Sequence, residues 1–132
     1  MPMPEVNLVF AWWWMACGCL SGAATGTVFH RENALGGYAS WTRRLMRLGH
    51  IAFFGTGLLN LGFALSVRPV PETNATLVEA ASMSLLAGAI AMPLTCYLAA
   101  WRKPMRHAFV LPVVGLMAGC VLTALCLTQS LL

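Results

Sequence analysis

Three histidines, His30, His50 and His107, are the side chains of this sequence best suited to chemistry. His30 ends the first of four long apolar runs, His50 opens the second and His107 opens the fourth. If each run crosses a membrane, all three imidazoles belong at one interface, with Glu32 close by. Imidazoles from separate helices at a shared depth are a donor set for a haem iron, or for zinc or copper. No local ligand motif accompanies them, so the plainer expectation is that they pair with headgroups or backbone carbonyls and hold no cofactor.

Arg43 and Arg47 fall on one helical face with His50, at spacings of four and three. That stripe suits an anionic headgroup or an acidic partner; its ordinary role is to snorkel from the helix end to water. Asn60 lies about ten residues beyond His50, which at roughly 1.5 Å per residue puts an amide near mid-membrane. Such an amide needs a partner on another helix, for which Ser21, Thr25 and Thr123 are available.

The five cysteines, Cys17, Cys19, Cys96, Cys120 and Cys126, all lie within apolar runs and are expected as small apolar fillers rather than as disulfides. Cys17 and Cys19 point to nearly opposite sides of a helix and cannot share a metal, whereas Cys17 and Cys120 are at similar depths. No Asp, Glu, Lys or Arg stands in the central part of any run, which disfavours a proton-coupled pump or transporter. No catalytic constellation, phosphate loop or H-E-x-x-H motif is visible, so no enzymatic activity is expected of the chain by itself.

These residues are held by a chain of membrane composition. Of its 132 residues 59% are hydrophobic and only 9% charged, too few charges to cover a water-exposed surface. A single transmembrane domain is expected, with helices over about residues 7–29, 45–67, 77–101 and 107–131, each near the roughly 20 residues a bilayer requires. The first run has Glu5 and no basic residue on its flank, unlike a secretory leader, and is expected to be retained. Arg68-Pro69-Val70-Pro71 stops the second helix. Thr76 and Glu79 have capping-box spacing for the third, Pro104 precedes the fourth, and Gly36-Gly37 breaks the longest connection.

Charge sets the orientation. The net charge of +4 is not a nucleic-acid signature, because the basic residues cluster beside apolar runs. Arg31, Arg43, Arg44, Arg47, Arg102, Lys103 and Arg106 occupy the first and third connections, leaving only Arg68 among the eight basic residues for the other side. The positive-inside rule makes those two short connections cytoplasmic and puts both termini outside, in the periplasm of an inner (plasma) membrane. Tyr38, Trp41 and Trp101 fit an inner aromatic belt, and Trp12, Trp13 and Trp14 lie nearer the outer one. The Asn74-Ala75-Thr76 sequon then lies outside and has meaning only in a eukaryotic host.

Helix association in lipid relies on close approach at small residues and on interhelical hydrogen bonds. Gly18, Gly22 and Gly26 line one face of the first helix, Ala80, Ser84 and Gly88 one face of the third, and Gly115 and Gly119 one face of the fourth. Packing within an all-α four-helix bundle is their ordinary use, and a face left over would serve self-association or another subunit. Pro93 and Pro112 are expected to bend their helices. The leading expectation is a non-catalytic subunit or assembly partner of a larger membrane complex, of a respiratory or other energy-converting kind by virtue of the histidines. The alternatives are a haem- or metal-binding membrane protein and a small-solute transporter or channel built around Pro93, Pro112 and Asn60.

Overall fold

The computed structural model describes residues 3–70 and 74–131. It consists of four long helices, α1 (Met3–Phe29), α2 (Trp41–Ser66), α3 (Ala75–Trp101) and α4 (Val110–Leu131). A short 3-10 turn, Ala34–Gly36, lies between α1 and α2, and a longer one, Lys103–Phe109, leads into α4. All four helices are long and apolar enough to cross a membrane, so the chain is an all-α, multi-pass membrane protein. No strand occurs among the described residues.

The bundle is built by sequential neighbours. α1 packs on α2, α2 on α3 and α3 on α4, with a narrower contact between α1 and α3. α2 and α3 are thus central, and α1 and α4 flank them. We call the end bearing residues 30–40 and 102–109 the basic end, and the opposite end the terminal end.

Several helix ends differ from the sequence expectation, for local and non-local reasons. α1 begins at Met3, which sets Trp12, Trp13 and Trp14 about 14–17 Å along the helix rather than near its end. α2 begins at Trp41, four residues early, because Ser40 caps it by accepting a hydrogen bond from the Arg43 amide at 3.2 Å. α3 begins at Ala75 after Asn74, so Thr76 is inside the first turn and the capping box with Glu79 is not formed. Pro71 and Glu72 lie outside the described residues. α4 begins at Val110 instead of His107, which belongs to the 3-10 turn. Pro112 is therefore in the first turn of α4, where its missing amide has no partner within that helix, and no bend follows from it. Pro93 lies within α3 and is buried.

The connection between α1 and α2 turns back sharply. Leu35, Gly36 and Gly37 all have positive φ (54°, 86° and 84°), a region in which two glycines are at ease and one leucine is not.

Candidate functional site

Side chains at the start of α2 close both neighbouring helices at the basic end. Arg43, only 5% exposed, donates from Nη1 to the Glu32 carbonyl at 2.8 Å and from Nη2 to the Phe29 carbonyl at 3.0 Å. Its guanidinium also sits 4.4 Å from the centre of the Phe29 ring. On the other flank, the Trp41 indole donates to the Ala99 carbonyl at 2.8 Å and Thr42 donates to the Ala100 carbonyl at 3.1 Å. The last carbonyls of a helix have no partner within it, and in α1 and α3 these side chains supply one. Leu45 packs with Ala99 and Ala100 just beneath.

The arginine stripe is accordingly divided. Arg43 is buried in the fold. Arg47 donates to the Tyr38 carbonyl at 3.2 Å and lies 4.2 Å from the Tyr38 ring centre, folded back over the connection. Arg44, Arg102, Lys103 and Arg106 are exposed at the same end, beside exposed Tyr38 and Trp101.

The histidines do not share a depth. His30 is exposed just past the end of α1, and His107 is exposed on the 3-10 turn. His50 instead lies nine residues into α2, roughly 13 Å from its start, because that helix begins early. No group of three His, Cys, Asp or Glu side chains converges among the described residues. His50 is half-buried against α1: a Cβ built on Gly22 would stand 2.6 Å from its Cε1. Its ring meets Phe54 edge-on at 5.5 Å between centroids. Nδ1 is buried and has no hydrogen-bond partner. On the far side of the same seam, the Ser21 and Tyr97 hydroxyls are hydrogen-bonded to each other, and Tyr97 covers the face of Gly49.

Toward the terminal end, a buried chain of amides and a hydroxyl ties three helices. Ser82 of α3 donates to Asn7 Oδ1, and Asn7 Nδ2 of α1 donates to Asn60 Oδ1 of α2 at 2.7 Å. Asn60 Nδ2 continues to the Thr56 carbonyl at 2.9 Å, and the Trp14 indole donates to the Thr56 hydroxyl at 3.0 Å. Asn60 lies six residues before the end of α2, about 9 Å from it, and so is well away from the helix midpoint. Ser21, Thr25 and Thr123, the partners expected from sequence, have other bonds: Thr25 and Thr123 donate to carbonyls of their own helices. Asn7 and Ser82 were the residues sequence reasoning missed. The available signal was that both are polar positions inside apolar runs, set back from the terminal end by about as much as Asn60.

The glycines divide by use. A Cβ on Gly18 would stand 2.8 Å from Phe54 Cε2 and 2.9 Å from Phe53 Cβ, so Gly18 and Gly22 admit α2. Between α3 and α4, a Cβ on Gly119 would be 2.6 Å from Leu85 Cγ, and one on Gly88 would be 2.9 Å from the Leu116 amide nitrogen. Gly115 faces the Gly88 backbone at 3.4 Å. Gly26 has nothing within 4 Å of where its Cβ would be. Cys17, Cys19 and Cys120 are exposed and Cys96 and Cys126 buried, all as free thiols.

No family model, curated protein or solved structure matches this chain. Its functional interpretation rests on its own geometry. Two hollows complete that geometry. A cavity of about 570 Å³ at the terminal end is lined by Glu5, Arg68 and Glu79 together with Leu8, Val67 and Val78. A groove of about 310 Å³ runs between α2 and α4 over Leu85, walled by Leu59, Gly62, Cys120 and Thr123.

Proposed function

We propose that this protein is a non-catalytic subunit or assembly partner of a larger complex in the inner (plasma) membrane, oriented with its basic end toward the cytoplasm and both termini outside. One observation carries the proposal. Only 11% of the most apolar stretch of α1 and 17% of that of the fourth span are buried within the chain, so both flanking helices are open to the sides along most of their length. A protein shaped this way meets other molecules mainly sideways, through its flanking helices. The polar groups between the helices support the same view, since Asn7 bonds to Asn60 and Ser82, Trp14 to Thr56 and Ser21 to Tyr97, all serving cohesion. The orientation rests on the positive-inside bias.

The test is purification of the tagged full chain from its native membrane in mild detergent, followed by native electrophoresis. Co-migration with a second membrane protein in fixed proportion is the expected result. A chain that consistently runs alone refutes the proposal.

A further inference from the structure

We infer that the α1–α2 seam at His50, on the side turned away from α3, docks a transmembrane helix of the partner chain, which brings a hydrogen-bond acceptor to the imidazole. The inference deepens the subunit proposal and rests on it.

An imidazole this far along a membrane-spanning helix is costly unless its polar atoms are satisfied. Inside the chain they are not. Nδ1 is buried without a partner. Of the two tautomers, the one with its proton on Nε2 avoids burying an unmatched N–H at Nδ1. The ring is only partly buried and Nε2 has no hydrogen bond among the described residues, so that tautomer leaves a donor for a neighbour to meet. The same geometry argues against a metal at Nε2, because a ligating histidine is steadied by an acceptor for its other N–H and Nδ1 has none.

The surroundings of that edge fit a helix. At 100° per residue, Cys19, Ala23 and Gly26 lie on the flank of α1 beside Gly22 and away from Ser21, which faces α3. All three are exposed, and Gly26 opens onto empty space. Small side chains there let another backbone come within hydrogen-bonding range of His50. With α2 centred on the hydrocarbon core, the ring lies below the level of the lipid ester carbonyls. A 26-residue helix is about 39 Å long against a core of about 30 Å, so the imidazole is centred several ångströms inside the hydrocarbon. The best match is an oxygen acceptor on a neighbouring transmembrane helix, such as Ser, Thr, Asn or Gln.

The experiment places the photo-reactive residue benzoylphenylalanine at Ala23, and separately at exposed Val121 on α4, in the full chain in its native membrane. The Ala23 probe is expected to give an adduct whose partner peptide is a transmembrane segment bearing an acceptor side chain. His50→Phe is expected to lower partner recovery about 3- to 20-fold, the range of one interhelical hydrogen bond, while His50→Gln, which keeps a donor, retains most of it. A Cβ at Gly26 meets nothing within 4 Å, so Gly26→Leu is expected to keep the fold, checked by its unfolding in SDS, and yet obstruct docking. If the partner is recovered equally with His50→Phe and Gly26→Leu, or crosslinks from Val121 and not Ala23, the docking site is wrong and the subunit proposal stands. Adducts to lipid alone at Ala23, with a partner still co-purifying, also overturn the docking site. A wild-type chain that emerges without any partner overturns both.

Discussion

The two halves of this bundle are joined by different physics. α1, α2 and α3 are bound by directional contacts: the Ser82–Asn7–Asn60 chain toward the terminal end, the Trp14–Thr56 and Ser21–Tyr97 bonds, and the Arg43, Trp41 and Thr42 caps at the basic end. The α3–α4 seam has no interhelical side-chain hydrogen bond among the described residues; Ser84 and Thr123 bond to their own helices, and glycine against leucine does the rest. A polar seam tolerates little sliding, because each amide must meet one particular partner. A dry glycine seam depends on proximity alone, and its failure mode is steric.

That contrast is open to attack by substitution. The largest effect is expected from Gly119→Ile or Gly88→Val, which drive a branched side chain into Leu85 or the Leu116 backbone. A loss of roughly 3 kcal/mol, the upper part of the overpacking range, should appear in reversible SDS unfolding. Buried Cys126 should become reactive to a membrane-permeant thiol reagent as α4 lifts away, with α1–α3 still assembled. Next, Arg43→Leu removes two charge-assisted bonds and leaves the last carbonyl of α1, at Phe29, and that of Glu32 in the connection unpartnered. About 2 kcal/mol is expected by the same measurement, along with protease sensitivity between residues 30 and 40.

Asn60→Leu should cost about 1–2 kcal/mol, because Asn7, fully buried, loses its acceptor. A double-mutant cycle with Asn7→Leu sharpens the point: the two losses should fall short of additivity, with a coupling near 0.6 kcal/mol and no more than about 1.7. Gly22→Ala presses on the His50 ring, which has some freedom to yield, and about 1 kcal/mol is expected. Gly26→Ala, one turn away on the same face, should change stability by less than about 0.5 kcal/mol. An equal cost at Gly22 and Gly26 would show that the glycine row acts as a unit, contrary to the contacts described.

The number of helices was legible in the sequence because each apolar run is long and bounded by charge, proline or glycine. The chemistry between the helices was much less so. The early start of α2 depends on Ser40, and on Trp41 and Thr42 finding carbonyls of α3 some 58 positions away. An apolar-run argument begins the helix at Leu45, and that error moved His50 to the interface. Asn60 stands out in the sequence as an amide inside an apolar run, in need of a partner. Its partner Asn7 is 53 positions distant, and only matching set-back from one end of the bundle links them. The glycine row of α1 read as uniform, yet what faces each glycine is set by α2, so Gly18 and Gly22 are covered while Gly26 is open.

The closure of α1 and α3 by the first turn of α2 also has a consequence for biogenesis. Residues 41–43 are made before α3 exists, so during synthesis the turn can grip only α1, through Arg43. Trp41 and Thr42 await the Ala99–Ala100 carbonyls, which emerge when α3 is finished. The first hairpin thus enters the bilayer as a half-fastened clasp that locks on completion of the third helix. α4, bound without a directed bond, is free to dock last and is the helix most readily released when the protein is taken apart.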